Sequence, residues 1–362
     1  MPPRTLDELR ARTAAAVSYR LRTVLGGRFA ARCRPTQLLI LLTERCNARC
    51  VHCDIWKNRG QEDVAPADDW IRMLDDVRAW LGPVHVTFTG GEALLWKDAP
   101  RVVAHAARLG LVVEHLTHGY WKDQSRIEAL ARARPWRITI SCDGVEDGHD
   151  RVRGREHFFD AMIGSLATLR RLRRDERLPY AIRLKTTIMA QNLDQLEAVA
   201  RFAAAQEADV FYQPIEQNYN TPEDPAWFTH SPTWPGDPEA AVAAVQRLIA
   251  LKREGLPIAN SMRQLEVMVP YFRDPASMRV VTQAHMAHVA QPSCSALTML
   301  QLQPNGDVLA CASMPPVGNF RATPIRTIWE ERPRWWEGGC CLPRRMAEAE
   351  RTLVQLAGAG AR

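Results

Sequence analysis

The feature that most restricts the fold of this chain is a regular alternation of strand-like and helix-like segments between residues 36 and 215. Apolar runs of strand length recur there, and amphipathic stretches of helical length separate them. The strand candidates are 37–43, 84–89, 111–117, 136–141, 181–188 and 208–214, and the helix candidates are 66–81, 98–109, 122–134, 158–174 and 192–205. Parallel strands need long crossover connections, which are usually helical. The pattern therefore predicts an α/β fold built on a parallel sheet.

The composition of the 362-residue chain, 46% hydrophobic and 24% charged, is that of an ordinary globular protein. This length predicts one large domain and a smaller one. The net charge of +6 comes from arginines spread along the chain. Because no basic tract is interleaved with aromatic residues, nucleic acid is not an expected partner. No apolar run approaches the length of a membrane span, so no membrane partner is expected either.

Residues 4–25 carry apolar positions at helical spacing with arginines between them, which predicts an amphipathic helix packed on the core. The segment lacks the apolar centre of a signal peptide. The chain has nine cysteines, and most of them occur in groups. Grouped cysteines without an export signal indicate metal ligands in a reducing compartment rather than disulfides. We therefore expect a cytoplasmic protein.

Three cysteines, Cys46, Cys50 and Cys53, directly follow the first predicted strand. Iron–sulfur cubanes are normally held by four thiolates, so a loop with three leaves one iron open for a substrate or cosubstrate. The alternative is a structural zinc site with His52 as fourth ligand. Zinc sites usually take their ligands as separated pairs, and His52 stands between two cysteines, where reaching the same ion is awkward. The spacing therefore favours a cluster that binds a ligand.

A second motif ends the next predicted strand, where Gly90 and Gly91 precede Glu92. Glycines allow a ligand to approach the backbone closely. The Glu92 carboxylate can accept a hydrogen bond from an ammonium group. A glycine pair alone marks many ordinary turns. This pair, however, falls one βα unit after the cysteine loop, at the end of the strands where parallel barrels place their chemistry.

The two motifs resemble those of the radical S-adenosylmethionine (SAM) superfamily, and the resemblance extends over residues 37–215. It implies a partial (β/α)6 TIM-like barrel in which Cys46, Cys50 and Cys53 hold a 4Fe–4S cluster. The open iron would chelate the amino and carboxylate groups of SAM. An electron from the cluster would then cleave SAM to methionine and a 5′-deoxyadenosyl radical. The glycine–glycine–glutamate turn would receive the amino group of SAM.

Strand alternation indicates which side chains line the barrel. In the fourth predicted strand, Ser141 and Asp143 share the polar face, and Cys142 lies on the apolar face that meets the helices. Residues 140–154 resemble a stretch of radical SAM enzymes with auxiliary clusters, which implies that Ser141 contacts the SAM ribose and Arg153 the SAM carboxylate. An arginine fork suits a carboxylate, and the alternative is a surface arginine. The predicted cofactor-binding residues are His52, Gly90, Gly91, Glu92, Ser141, Asp143, Arg153 and Thr187.

Lys185 lies on the polar face of the fifth predicted strand. A buried unpaired charge is costly, so an interior lysine needs an anion, which a substrate carboxylate, the SAM carboxylate or Asp143 can supply. Gln213 and Glu216, at the end of the sixth predicted strand, are candidate substrate contacts by position. Lys185, Gln213 and Glu216 are the candidate catalytic residues. His118 is either an acid–base group or an ordinary loop histidine.

Four more cysteines occur near the C-terminus, namely Cys294, Cys311, Cys340 and Cys341. Cys294 and Cys311 flank Asn305-Gly306, a strong hairpin signal that would bring the two thiols together. The region from about 291 to 345 resembles the auxiliary-cluster domain called SPASM, or its shorter twitch form. The resemblance implies one auxiliary 4Fe–4S cluster, held by Cys294 and Cys311 with Cys340, Cys341 or both. A structural zinc knuckle is the alternative.

The sequence thus divides into four regions. They are an N-terminal amphipathic helix at 1–35, a radical SAM partial barrel at 36–215, a loop and helical bridging region at 216–290, and a twitch- or SPASM-like auxiliary-cluster domain at 291–362. In relatives, an auxiliary cluster commonly accepts the electron left after hydrogen abstraction. The resemblance therefore implies a net oxidation of an unactivated C–H bond, by dehydrogenation or bond formation, in natural-product or cofactor biosynthesis.

The expected partners are a small-molecule or peptide substrate and a reduced electron donor of the flavodoxin or ferredoxin type. Only about 35 residues precede the first predicted strand. This is too short for a precursor-binding domain and favours a small molecule. Two alternatives stay open. One is a redox-neutral epimerase with a cysteine hydrogen donor, for which a spare Cys340 or Cys341 is the best candidate. The other is a non-enzymatic zinc-binding module.

Overall fold

The computed structural model describes residues 6–25, 34–58, 63–218, 224, 226–275, 298–310 and 315–331. Its strands are β1 (Gln37–Leu41), β2 (His85–Thr89), β3 (Val112–Thr117), β4 (Arg137–Ser141), β5 (Ala181–Ile188), β6 (Asp209–Pro214), β7 (Met299–Leu302), β8 (Asp307–Leu309) and β9 (Gly318–Asn319). All of them belong to one sheet, in the order β6-β5-β4-β3-β2-β1-β7-β8-β9.

The helices alternate with the first six strands and then continue beyond them. They are α1 (Leu6–Leu25), α2 (Ala67–Leu81), α3 (Ala99–Arg108), α4 (Ser125–Arg132), α5 (Asp147–Arg153), α6 (Phe158–Asp175), α7 (Leu196–Ala205), α8 (Pro238–Arg253), α9 (Met262–Glu266), α10 (Met268–Arg273) and α11 (Ile325–Glu330). Each strand and helix predicted between 36 and 215 is present. The short helix α5 was not among the predicted segments.

The six strands β1 to β6 are all parallel and lie side by side in sequence order. The sheet stays open, because β6 forms one edge and β9 the other. This is the α/β arrangement of a partial TIM-like barrel, as predicted. Parallel alignment brings the C-terminal ends of all six strands to one rim, where the loops that carry the motifs begin.

Alternation along the strands separates an apolar face from a polar one. In β5, for example, Ile182, Leu184 and Ile188 are buried in the core that the helices cover. Lys185 and Thr187 lie between them and are only half-buried. Burying a leucine or isoleucine side chain contributes about 1.5–3 kcal/mol, so the apolar face fixes the register. The polar face is thereby directed to the barrel interior.

The strands β7 and β8 form the hairpin that Asn305-Gly306 predicted. The turn closes through hydrogen bonds from Gln303 N to Asp307 O (2.8 Å) and from Gly306 N to Gln303 O (3.0 Å). The sequence did not indicate where this hairpin packs. It extends the barrel sheet, because β7 pairs in parallel with the free edge of β1.

The helix predicted at 4–25 forms, but its packing differs from the expectation. Leu6 and Val17 are 63% and 49% exposed, whereas Glu8 and Ala11 are buried. Glu8 accepts a hydrogen bond of 3.2 Å from Trp136 Nε1, which anchors this face of the helix to the start of β4. A polar contact therefore decides the orientation in place of the apolar positions. No helix in the described part of the chain combines the length and the apolarity that a bilayer crossing requires.

The described residues 226–237, which precede α8, pack beside the barrel. Trp234 contacts Tyr271 and Phe272 of α10, with ring centroids 5.5 and 5.6 Å apart. Tyr271 Oη donates a hydrogen bond of 2.6 Å to Ile215 O, just after β6. Ala190 N, just after β5, donates to Thr233 O at 2.9 Å. Thr233 and Trp234 therefore lie against the outer side of the barrel, near the ends of β5 and β6.

Candidate active site

The cysteine loop follows β1 at the barrel rim and is held from two sides by backbone hydrogen bonds. On one side, Gly91 N donates to Thr43 O and Glu92 N donates to Arg45 O, both at 2.8 Å. On the other side, Arg49 N donates to Arg153 O at 3.0 Å, at the end of α5. The loop is therefore fixed by residues that follow β2 and β4, and not only by its own sequence.

Glycines permit this close packing. A Cβ added at Gly90, where φ is +148°, would lie 2.2 Å from Thr43 O. A Cβ added at Gly91 would lie 2.4 Å from Arg45 O. We predicted that these glycines make room for a ligand. The structure shows that the cysteine loop itself already occupies the space that a side chain would need.

The three thiols of the loop are free and half-buried, and Cys50 lies close enough to the other two to raise the pKa of both Cys46 and Cys53. Burial is the main cause that raises the pKa of Cys46 to about 12, and it also raises that of Cys53. A cation that binds here must displace thiol protons. Among the described residues, no three Cys, His, Asp or Glu side chains converge as around a single ion. Three thiols from one loop are the type of ligand that an iron–sulfur cubane takes.

Glu92 lies fully buried beside the cysteine loop. Its carboxylate accepts hydrogen bonds from Thr117 Oγ1 (3.0 Å), His118 N (2.8 Å) and Leu94 N (3.2 Å). Burial raises the pKa of Glu92 to about 7, although these hydrogen bonds act in the opposite direction. Three hydrogen-bond donors thus fix a carboxylate whose charge is poorly solvated, and a cationic ligand would stabilise that charge.

His118 connects this carboxylate to the cysteine loop. Its Nδ1 accepts a hydrogen bond of 2.9 Å from Tyr120 N, so Nε2 carries the proton and donates to Asn47 Oδ1 at 2.6 Å. Burial lowers the pKa of His118 well below its usual value, which keeps the ring neutral. Sequence reasoning missed Asn47 and Thr117 as site residues. The available signal was their position, next to Cys46 and to His118.

Asp143, Arg153 and Thr187 come together on the opposite side of the loop. Arg153 Nη2 pairs with Asp143 Oδ2 at 2.5 Å, and Thr187 N donates to Asp143 Oδ1 at 2.8 Å. Arg153 Nη1 also donates to Cys50 Sγ at 3.4 Å. Burial alone would raise the pKa of Asp143, but the arginine outweighs it and the pKa is lowered. Arg153 is therefore a buried residue of the site, which excludes a surface arginine.

His52 points towards this cluster of charges. Its Nδ1 is buried and has no hydrogen-bond partner among the described residues. Burial lowers the pKa of His52 to about 4, with Arg153 and Lys185 acting in the same direction. A neutral imidazole with a buried unsatisfied nitrogen is available to a bound group. Arg153 Nε is buried and unsatisfied in the same way.

The barrel interior below the rim is strongly polar. Arg137 and Glu114 form a bidentate pair at 2.9 and 2.7 Å. Arg183 and Asp209 form a second one at 2.5 and 2.8 Å. The row above contains three residues in register across β4, β5 and β6, namely Ser141, Lys185 and Phe211. Thr187 pairs with Gln213 in the row nearest the rim, and Glu216 follows the end of β6.

Of the cysteines outside the loop, Cys142 can be compared with its prediction. Cys142 is buried among the apolar residues, as predicted, and its thiol contacts Gly144 O at 3.3 Å. It is therefore turned away from the barrel interior and is unsuited to donate a hydrogen atom there. Cys294, Cys311, Cys340 and Cys341 lie outside the described residues.

The comparison with protein families agrees with this geometry, because residues 40–203 match the radical SAM superfamily. Fe-coproporphyrin III synthase of Methanosarcina barkeri is 29% identical over 159 residues, covering 44% of this chain and 38% of that protein. The sporulation killing factor maturation protein SkfB of Bacillus subtilis is 28% identical over 178 residues, covering 49% and 42%. The chain therefore spans less than half the length of these two relatives.

A solved structure has the same fold over most of the chain. Streptococcus suis SuiB bound to S-adenosylmethionine superposes with a TM-score of 0.59 at 17% identity, covering 83% of this chain and 66% of that one. SuiB bound to its precursor peptide SuiA gives a TM-score of 0.61 at 16% identity, covering 90% and 70%. Residues 40–203 therefore match the radical SAM superfamily, and the fold of the solved structures agrees with this match.

Proposed function

We propose that this chain is a SAM-cleaving enzyme that oxidises an unactivated C–H bond of its substrate. One observation carries the proposal: the loop of Cys46, Cys50 and Cys53 is clamped between the glycine turn after β2 and the Arg153 end of α5. A loop with three thiols, a buried carboxylate and a buried arginine thereby lie next to one another at the rim. This is the donor set that a site-differentiated cluster with a bound amino acid group requires.

Each residue of the site has a role that follows from its chemistry. Glu92 accepts the ammonium group of SAM, and its contacts with Thr117 and His118 keep the carboxylate oriented. Arg153 binds the SAM carboxylate, while Asp143 and the Thr187 backbone hold the arginine in place. Ser141 and His52 contact the adenosine part. When bound, the cluster and SAM supply the hydrogen-atom abstraction that an unactivated C–H bond requires.

An auxiliary 4Fe–4S cluster is the proposed acceptor of the remaining electron. Its ligands would be Cys294, Cys311 and one or both of Cys340 and Cys341. Support comes from the hairpin of β7 and β8, because Cys311 follows the last described residue of β8 by only two positions. This hairpin pairs with β1, the strand that leads into the cysteine loop. Such an arrangement would keep the two clusters within one rigid sheet.

The substrate is a peptide or a small molecule of natural-product or cofactor biosynthesis. The names of the relatives support both classes, since SuiB binds the precursor peptide SuiA and another relative is an Fe-coproporphyrin III synthase. The electron donor is a reduced flavodoxin- or ferredoxin-type protein. Val51, between two of the ligating cysteines, is 46% exposed, which leaves the loop accessible to such a protein.

The proposal is tested by reductive SAM cleavage and by iron analysis of anaerobically reconstituted protein. We expect a Cys46→Ala/Cys50→Ala/Cys53→Ala variant to lose SAM cleavage and about four irons out of about eight. Cys142→Ala is the matched control, because this cysteine is close in sequence to the site but faces the helices. It should retain both properties. SAM cleavage that persists in the triple variant would refute the assignment of the cluster.

A further inference from the structure

The charged side chains at the floor of the barrel, on β3 to β6, are paired with one another. The Glu114 carboxylate accepts hydrogen bonds from Arg137 and Thr139, and the Asp209 carboxylate accepts hydrogen bonds from Arg183. These pairs form the polar floor of the barrel. Their carboxylates and guanidinium groups satisfy one another, and therefore they have little need of a ligand.

Lys185 differs from these pairs, since its ammonium group has no ion pair and no hydrogen bond among the described residues. It stands one row above the floor, on the same face of β5 as Arg183, with Ser141 on one side and Phe211 on the other. This row lies between the floor and the rim that carries the cysteine loop. Lys185 therefore projects into the space where a substrate must meet the cofactor.

Three carboxylates face Lys185, and none of them neutralises it by contact. Glu114 and Asp143 are each committed to an arginine. Glu216 is exposed beyond the end of β6. The cation Arg153 and the neutral His52 also face this lysine. Burial lowers the pKa of Lys185, although the carboxylates counteract it. An anion that reaches this ammonium group would therefore stabilise its charge.

We propose that Lys185 binds a carboxylate of the substrate, so that this enzyme acts on carboxylate-bearing molecules anchored at the row of Ser141, Lys185 and Phe211. The inference rests on the proposed function, because it assumes that the substrate reacts inside this barrel. Ser141 of β4 and Phe211 of β6 are the register neighbours of Lys185, so a bound anion would lie on this row of the barrel. The carboxylate would thus fix the depth at which the rest of the substrate stops.

The chain allows a direct test, because it contains only five lysines, at 57, 97, 122, 185 and 252. Reductive methylation with 13C-formaldehyde labels each amine and retains its charge, and Lys185→Met assigns the resonance of interest. The reconstituted protein is titrated with succinate at constant ionic strength, with and without SAM. Uncharged succinamide is the control for polarity, and exposed Lys97 is the internal control.

We expect succinate to move the Lys185 resonance in a saturable way, at least fivefold further than that of Lys97, in the presence of SAM. Succinamide should leave it in place. Three results would overturn the inference: no response to succinate, a full response to SAM alone, or a response that appears only after Glu216→Gln. The second result would assign the ammonium group to the SAM carboxylate, and the third would identify Glu216 as its internal partner.

The same preparation is assayed for reductive SAM cleavage, which separates this inference from the proposed function. If the protein responds to succinate but does not cleave SAM, the anion site at Lys185 is supported and the proposed enzymatic function is refuted. If the protein cleaves SAM but the Lys185 resonance does not shift with succinate, only the anion site is refuted. The four remaining lysine resonances report whether Lys185→Met is folded.

Discussion

At the scale of single residues, the site depends on glycines that allow one backbone segment to touch another. Gly91 is the clearest case, because its Cα faces the carbonyl groups of Glu44 and Arg45. Both atoms belong to the backbone that leads into Cys46, so they cannot move aside without displacing a ligand. The residue therefore controls the position of the cysteine loop without belonging to it.

We predict that Gly91→Ala displaces the cysteine loop, since the new Cβ would lie 2.4 Å from Arg45 O. Iron retained after reconstitution should fall by at least half, and SAM affinity should drop by about tenfold or more, which is about 1.4 kcal/mol. Iron analysis and equilibrium dialysis with labelled SAM measure the two effects.

The control for this change is Gly164→Ala in α6, where the nearest atom, Gln124 Nε2, is 3.7 Å from the added Cβ. This variant should keep its iron and gain up to about 1 kcal/mol, because alanine favours helices over glycine. A Gly91→Ala protein with wild-type iron content would show that the loop adapts freely.

The charged floor of the barrel leads to a prediction about stability and pH. Burial alone would raise the pKa of Glu114, but its bonds with Arg137 lower it below 4.5. The pair therefore contributes stability above pH 4.5, and this contribution is lost as pH falls through the lowered pKa. Glu114→Gln leaves Arg137 buried without its partner. It should cost about 3–5 kcal/mol at pH 7.

Urea unfolding at pH 7 and at about pH 3.5 measures this effect, and the gap between Glu114→Gln and wild type should narrow at the lower pH because Glu114 of the unfolded chain then takes up a proton. The double variant Glu114→Met/Arg137→Met is the control. It removes both charges and should be far less destabilised than the single variant. An equal gap at both pH values would contradict the assignment.

At the scale of elements, the hairpin of β7 and β8 depends on its turn. Gly306 adopts a φ of +95°, and an added Cβ would lie 2.8 Å from both Arg321 Cδ and Asn319 Oδ1. The side chain of Asn319 is itself held, because its amide donates to Asp307 Oδ1 at 3.0 Å. The turn thus links β8 to β9 as well as to β7.

We predict that Gly306→Ala loosens this hairpin by about 1–3 kcal/mol, the cost of a strained backbone conformation. Hydrogen exchange should become faster at the amides of β7 and β8 while those of β4 and β5 stay protected. Gly236→Ala is the control, because an added Cβ there meets no atom within 4 Å. Unchanged protection of β8 in Gly306→Ala would show that the turn does not hold the hairpin.

At the scale of the whole molecule, the continuity of the sheet links the radical SAM domain to the C-terminal region. Thr36 N donates a hydrogen bond of 2.8 Å to Thr298 O, just before β1 and β7. Ala65 N donates to Pro304 O at 2.7 Å, and Phe320 packs on Trp70 of α2 with ring centroids 4.6 Å apart. The described part of the C-terminal region is therefore packed directly on the barrel.

We predict that the proposed auxiliary cluster is lost independently of the proposed SAM-binding cluster. A Cys294→Ser/Cys311→Ser variant should lose about four irons and keep the electron paramagnetic resonance signal of the reduced SAM cluster, including its change on SAM addition. Iron analysis and spectra of dithionite-reduced protein measure both. A variant that keeps about eight irons would show that these cysteines bind no cluster.

The sequence by itself determined the elements and the cysteine loop. The strands β1 to β6 and their helices were predicted within a few residues, because hydrophobic periodicity is a local property and each apolar face must be buried. The spacing of Cys46, Cys50 and Cys53 identified the loop for the same reason, since all three ligands lie within one short segment.

Only the tertiary structure decided what these elements contact. The sequence did not show that Gly91 packs on Arg45, that Arg153 pairs with Asp143, or that β7 joins the edge of β1. Nor did it show that a buried Glu8 orients α1. Each of these contacts joins residues that belong to different segments of the chain. Local spacing carries no information about them, because they form only when the packed core brings both partners to one place.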